Sequence, residues 1–137
     1  MARVLIVDDT EILRRAMELV IRRMGHTPVS ASSPRKALEL ALRDPPELAL
    51  IDLLMPEMDG AELFRRLRAG LGERCPAVIF VSATPREDVA RRVGAVGRPA
   101  GYVTKPFHVD DLTQLVADAL AKRESGALAL ALATASV

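Results

Sequence analysis

One cysteine, one tyrosine, three phenylalanines and no tryptophan occur among the 137 residues. With Cys75 alone, no internal disulfide and no cysteine metal cluster can form, and a reducing, cytoplasmic setting is expected. Neither His26 nor His108 stands in a context that suggests pairing with Cys75, so that residue reads as a small hydrophobe before Pro76 rather than a nucleophile. Four aromatic rings offer little for stacking on single-stranded bases, and no helix-turn-helix pattern is present, which argues against direct nucleic-acid binding. Charge of neither sign dominates, since the formal net charge is +1. The arginine pairs at 14–15, 22–23, 65–66 and 91–92 are interleaved with Glu18, Glu62, Glu87 and Asp88, as on solvated helix faces. No apolar run reaches the roughly 20 residues that span a bilayer, so membrane insertion is not expected. The apolar run Val4 to Val7 stops at two aspartates, unlike a secretory signal.

What is present is an alternation. Half of the residues are hydrophobic and 27% charged, a globular balance, and the length suits one core rather than two. Short apolar runs alternate with longer amphipathic stretches, the pattern of a parallel sheet covered by helices. The spacing predicts a first helix from near Thr10, with Leu13, Ala16, Met17, Val20 and Met24 on one face and Gly25 as its C-terminal cap. Thr27 to Ala31 reads as a short, partly polar edge strand. Ser33-Pro34 then caps a second helix over about Pro34 to Leu42, and Pro45 ends it. Leu48 to Asp52 is the third strand, followed by a loop at Met55 to Gly60 and a helix carrying Leu63, Phe64, Leu67 and Leu71. About Ala77 to Val81 forms the fourth strand. Val89, Val93 and Val96 mark a fourth helix weakened by Gly94 and Gly97. Tyr102 to Thr104 is the fifth strand, and about Val109 to Lys122 a fifth helix burying Leu112, Leu115, Val116, Ala119 and Leu120. Residues 1–122 make one domain, and 123–137 an Ala/Leu-rich tail expected to be flexible.

Four of these apolar runs end in polar groups of one chemical theme. The first runs into Asp8-Asp9, the third into Asp52, the fourth into Ser82 and the fifth into Lys105-Pro106. In an open parallel sheet these residues meet beyond the carboxyl ends of the strands, where ligands bind. Adjacent carboxylates repel one another unless a cation lies between them, and Mg2+ is usually held by one or two carboxylates plus waters and phosphate oxygens, a set that Asp52 completes. Lys105 and Ser82 add an ammonium and a hydroxyl suited to phosphoryl oxygens. Phosphoryl transfer depends on such positioning and charge stabilisation, and Asp52, central in the sheet, can serve as the nucleophile and become an aspartyl phosphate.

Asp8-Asp9, Asp52 with Met55-Pro56 and Asp59-Gly60, Ser82-Ala83, and Lys105-Pro106-Phe107 together resemble the receiver domain of two-component response regulators, across about residues 3 to 122. The resemblance implies a flavodoxin-like, doubly wound α/β fold with a five-stranded parallel sheet of order 2-1-3-4-5 and five helices. It implies that Asp52 is the phosphoacceptor, that Asp9, Asp52 and the backbone carbonyl of Leu54 ligate Mg2+, and that Asp8 acts through water. Ser82 and Lys105 would bind phosphoryl oxygens, and Lys105-Pro106 would be cis. Ser82 and Tyr102 would form a switch that reshapes the face of the fourth helix, fifth strand and fifth helix.

The implied role is a phosphorylation-dependent signalling switch rather than an enzyme with an external substrate. Its expected partners are a histidine kinase or histidine phosphotransfer protein and a downstream protein target, with the chain a monomer or a phosphorylation-dependent dimer. A haloacid-dehalogenase-like phosphatase would need an acid two residues after the nucleophile, where Leu54 stands. A flavodoxin-like cofactor binder would need a glycine- or hydroxyl-rich loop where Asp8-Asp9 stand. A receiver-like interaction module that works without phosphorylation is the alternative, and the intact acidic set speaks against it.

Overall fold

The computed structural model describes residues 1–135 of the chain. Five parallel strands, β1 (Arg3–Val7), β2 (Thr27–Ala31), β3 (Leu48–Ile51), β4 (Ala77–Ser82) and β5 (Gly101–Thr104), form a sheet of order β2-β1-β3-β4-β5. This is the order that the resemblance implies. β1, β3 and β4 are apolar along nearly their whole length because both of their faces are covered, whereas the edge strand β2 tolerates Thr27, Pro28 and Ser30.

Side chains alternate between the two faces with the period of two that strands impose. Leu5, Val7, Ala49, Ile51, Val78 and Phe80 point into one core, shared with helices α2 (Pro34–Arg43), α3 (Gly60–Leu71) and α4 (Arg86–Val93). Val4, Ile6, Leu48, Leu50, Ile79, Val81 and Val103 point into the other, beneath α1 (Glu11–Arg23) and α5 (Val109–Ala135).

Local signals explain the helix ends. The Ser33 hydroxyl accepts the Lys36 amide at 3.2 Å, with Pro34 in the first turn, and α2 stops at Asp44 before Pro45. Gly25, at φ +85°, follows α1 in the left-handed conformation that glycine adopts without strain. α4 is short, bounded by Pro85 and Gly94, and is anchored by buried Val89 and Val93.

Two expectations are corrected. On α1, Ala16 is exposed and Ile21 is buried in its place, because the apolar stripe runs through 13, 17, 20, 21 and 24. α5 does not end near Lys122 but continues to Ala135, so 123–135 extend a helix; alanine and leucine are strong helix formers, Gly126 is a weak spot rather than a stop, and no proline interrupts 123–135. The last two residues of the expected flexible tail, 136–137, lie outside the described residues. No helix among the described residues is long and apolar enough to cross a membrane.

Candidate functional site

Register brings the polar residues together. Val7 pairs with Ile51, so the residues just beyond them, Asp8 and Asp52, stand level at adjacent strand ends. Ser82 pairs with Thr104, which puts Lys105 one step past the same edge. β1 and β3 are the strands at which the chain changes direction across the sheet, the point where open α/β sheets form their crevice.

Asp8 is fully buried and Asp52 nearly so, an arrangement that is costly for carboxylates without partners. The Lys105 ammonium supplies one, with Nζ 2.6 Å from Asp8 Oδ2 and 3.2 Å from Asp52 Oδ2. Asp8 Oδ1 accepts the Thr10 amide at 2.9 Å, so its carboxylate also closes the turn into α1. Thr10 itself makes no side-chain cap. Asp9 is exposed, and carboxylate oxygens of Asp8, Asp9 and Asp52 all lie within 4.8 Å of one another.

These neighbours shift the ionisations in a consistent sense. Burial raises the Asp52 carboxyl above its ordinary value, the Lys105 charge and hydrogen bond oppose that rise, and the Asp8 charge adds to it. Burial would lower the Lys105 ammonium, but the Asp8 hydrogen bond and the charges of Asp52 and Asp8 outweigh it and hold it above the usual lysine range. Three carboxylates facing one ammonium leave the cluster acidic. The donor set is entirely hard oxygen, at a spacing a single ion can bridge, so these residues fit a small divalent cation such as Mg2+.

Of the remaining expected residues, Ser82, Leu54 and Pro106 stand at the same sheet edge and Tyr102 stands apart from it. Ser82 is buried at the end of β4, where its hydroxyl accepts the Thr84 amide at 3.2 Å. The Leu54 side chain is exposed. The Lys105-Pro106 peptide is cis. Tyr102 lies away from the carboxylates, half-buried beside Phe80 with ring centroids 6.5 Å apart. Cys75 is remote from all of these, and burial raises its thiol above its ordinary value, in keeping with an unreactive side chain.

Matching the chain with known proteins accords with this geometry. The pattern that defines the response regulator receiver domain matches residues 4–117. The chain belongs to that family. Response regulator MprA of Mycolicibacterium vanbaalenii is 32% identical over 111 residues, covering 80% of this chain and 46% of MprA. The virulence transcriptional regulatory protein PhoP of Salmonella typhimurium is 33% identical over 127 residues, covering 92% of this chain and 54% of PhoP. The chain thus spans about half the length of these curated relatives. Among solved structures, a two-component response regulator of the LuxR family from Aurantimonas superposes with a TM-score of 0.79 at 29% identity, covering 90% of this chain and 87% of that one. Chemotaxis protein CheY4 of Vibrio cholerae superposes at 0.80 with 24% identity, covering 87% of this chain and 98% of its own, and shares the fold.

Two arginines that shape this receiver's site were not singled out from the sequence. The Arg14 guanidinium donates to the Asp8 carbonyl at 2.7 Å, and Arg92 reaches Asp59 at 3.7 Å, joining α4 to the loop that follows Asp52. Both are members of arginine pairs whose spacing reads as solvated helix face, and only tertiary placement distinguishes them. Gly60 sits against the Asp52 backbone so closely that a Cβ there would overlap the Asp52 carbonyl oxygen. The sequence signal for it was present in Asp59-Gly60, where Asp59 accepts the Glu62 amide at 2.9 Å and starts α3.

Proposed function

We propose that this receiver accepts a phosphoryl group on Asp52 from the phosphohistidine of a histidine kinase or histidine phosphotransfer protein, and thereby switches its hold on a downstream protein target. The observation that carries this is the joint contact of Lys105 with Asp8 and Asp52 beside a third carboxylate, at a sheet edge where three acids and a lysine have no structural need to meet. In the transfer, an Asp52 carboxylate oxygen attacks phosphorus, the phosphorus–nitrogen bond breaks, and the electron pair returns to the donor imidazole. Lys105 neutralises charge on the phosphoryl oxygens, and Ser82 donates a hydrogen bond to another of them.

Mg2+, when bound, supplies Lewis-acid charge compensation for those oxygens. Asp9, Asp52 and the Leu54 carbonyl would hold it. The Asp9 carboxylate is free of hydrogen bonds and ion pairs among the described residues, whereas both Asp8 oxygens are already engaged, which supports direct ligation by Asp9 and a water-mediated role for Asp8.

Phosphorylation would bias a two-state equilibrium in which Ser82 moves toward the phosphoryl group and Tyr102 turns behind it, altering the α4–β5–α5 face. The protein would act in the cytoplasm as a signalling component rather than as an enzyme, a monomer or a phosphorylation-dependent dimer. Intact mass after incubation with a small acyl phosphate tests this. A gain of one phosphoryl group that needs Mg2+ and is absent in Asp52→Asn is expected. Absence of any gain in folded protein would instead support a receiver that works as a phosphorylation-independent interaction module.

A further inference from the structure

Three of the four aromatic rings in the chain lie in one connected row. Phe64 of α3 meets Phe80 of β4 edge-on at 5.8 Å, and Phe80 lies nearly parallel to Tyr102 of β5 at 6.5 Å, the two being paired in the sheet register. Each end of the row carries a cation. The Arg68 guanidinium lies 5.9 Å from the Phe64 centroid, and the Arg86 guanidinium 5.4 Å from that of Tyr102. Both distances fall within the range in which a guanidinium is attracted to a ring face.

Arg86 is exposed and has no acid partner among the described residues, so its contact with the ring is what orders it against β5. Its backbone is fixed independently, because it opens α4, whose Val89 and Val93 are buried. It also follows closely on Ser82, with only Ala83, Thr84 and Pro85 between, and Thr84 is hydrogen-bonded to the Ser82 hydroxyl. One short segment therefore carries both the hydroxyl at the acidic cluster and the cation on the tyrosine.

We propose that Arg86 is a positioning residue for Tyr102, its guanidinium holding the ring in the half-buried orientation beside Phe80. The inference takes its functional meaning from the reading of Tyr102 as part of the switch, yet the orientation itself exists without phosphorylation. Tyr102 also reports on itself: it is the sole tyrosine in a chain without tryptophan, so intrinsic emission excited near 280 nm arises from this ring almost alone.

The test is acrylamide quenching of that emission in unphosphorylated protein, for wild type and for Arg86→Ala, Arg86→Gln and Arg86→Lys, each first shown to be folded by far-UV circular dichroism. An exposed cation–ring contact shifts a conformational ratio by about two- to fivefold. Arg86→Ala and Arg86→Gln are expected to raise the quenching constant, by at most that factor because the ring is already half-exposed, and Arg86→Lys to restore much of the protection. A merely structural role would lower thermal stability without this charge-dependent rescue. Equal quenching in wild type and Arg86→Ala overturns the proposal, as does Arg86→Gln protecting as well as Arg86→Lys. The measurement needs no phosphoryl donor, so its outcome is independent of whether Asp52 accepts a phosphoryl group.

Discussion

Gly60→Ala isolates how tightly the acceptor loop is packed. The added Cβ would overlap the Asp52 carbonyl oxygen and lie 3.0 Å from both Ile51 Cγ2 and Leu53 Cα. Two of these are backbone atoms at the end of β3, so no rotamer change relieves the clash, and α3 or the Asp52 segment must shift. Overpacking of this kind costs about 1–3 kcal/mol. The helical preference of alanine over glycine returns about 0.5–1 kcal/mol. A net loss of up to about 2.5 kcal/mol remains, a fall in melting temperature of up to roughly 10 °C for a domain of this size. Thermal and urea unfolding followed by circular dichroism measure it. Gly126→Ala is the internal comparison, because nothing lies within 4 Å of its Cβ position and it sits within α5. That substitution should be neutral or slightly stabilising. A Gly60→Ala protein that melts at or above the wild-type temperature would refute the steric argument.

Lys105→Met leaves the buried Asp8 and Asp52 without their shared cation and should cost about 1.5–3 kcal/mol at neutral pH in metal-free buffer, read by urea unfolding. Because the folded-state pKa of Lys105 is raised, its contribution is fully present below the unfolded value near 10.5 and fades above it, so the wild-type advantage over the variant should shrink in strongly alkaline buffer. Asp59→Ala removes the α3 cap and the Arg92 partner and should lower stability by about 1 kcal/mol in the same assay. Leu128→Gln and Leu132→Gln lie on the exposed length of α5 and should each change stability by less than about 0.5 kcal/mol; a larger loss would mean that this helix is covered in solution.

Much of the sheet was legible because its strands are buried on both faces and end abruptly in charge. Val4 to Val7 and Leu48 to Ile51 can be little else when each is followed by aspartate. Ser33-Pro34 and Gly25 marked helix ends through rules that act within a few residues. The misreadings have the converse cause. Ala16 and Ile21 flank the apolar stripe of α1 on opposite sides, and only the rotation of the helix against the sheet decides which of them is buried. Continuation of α5 past Lys122 was obscured because 123–135 has no polar face to set a period. In the site, Asp8, Asp52 and Lys105 were visible as strand-end residues, but the contacts of Arg14, Arg86 and Arg92 depend on where helices dock, which arginine spacing alone does not encode.

Borohydride trapping addresses the central claim most directly. One hydride attacks the acyl carbon of an aspartyl phosphate and releases phosphate, and a second reduces the resulting aldehyde to the alcohol of homoserine, so the modified position can be read by peptide mass mapping after treatment with an acyl phosphate and Mg2+. Homoserine at position 52, and not at Asp8, Asp9 or Asp59, is the predicted result. Phosphoryl gain with homoserine at one of those other positions would contradict the assignment of Asp52 as acceptor.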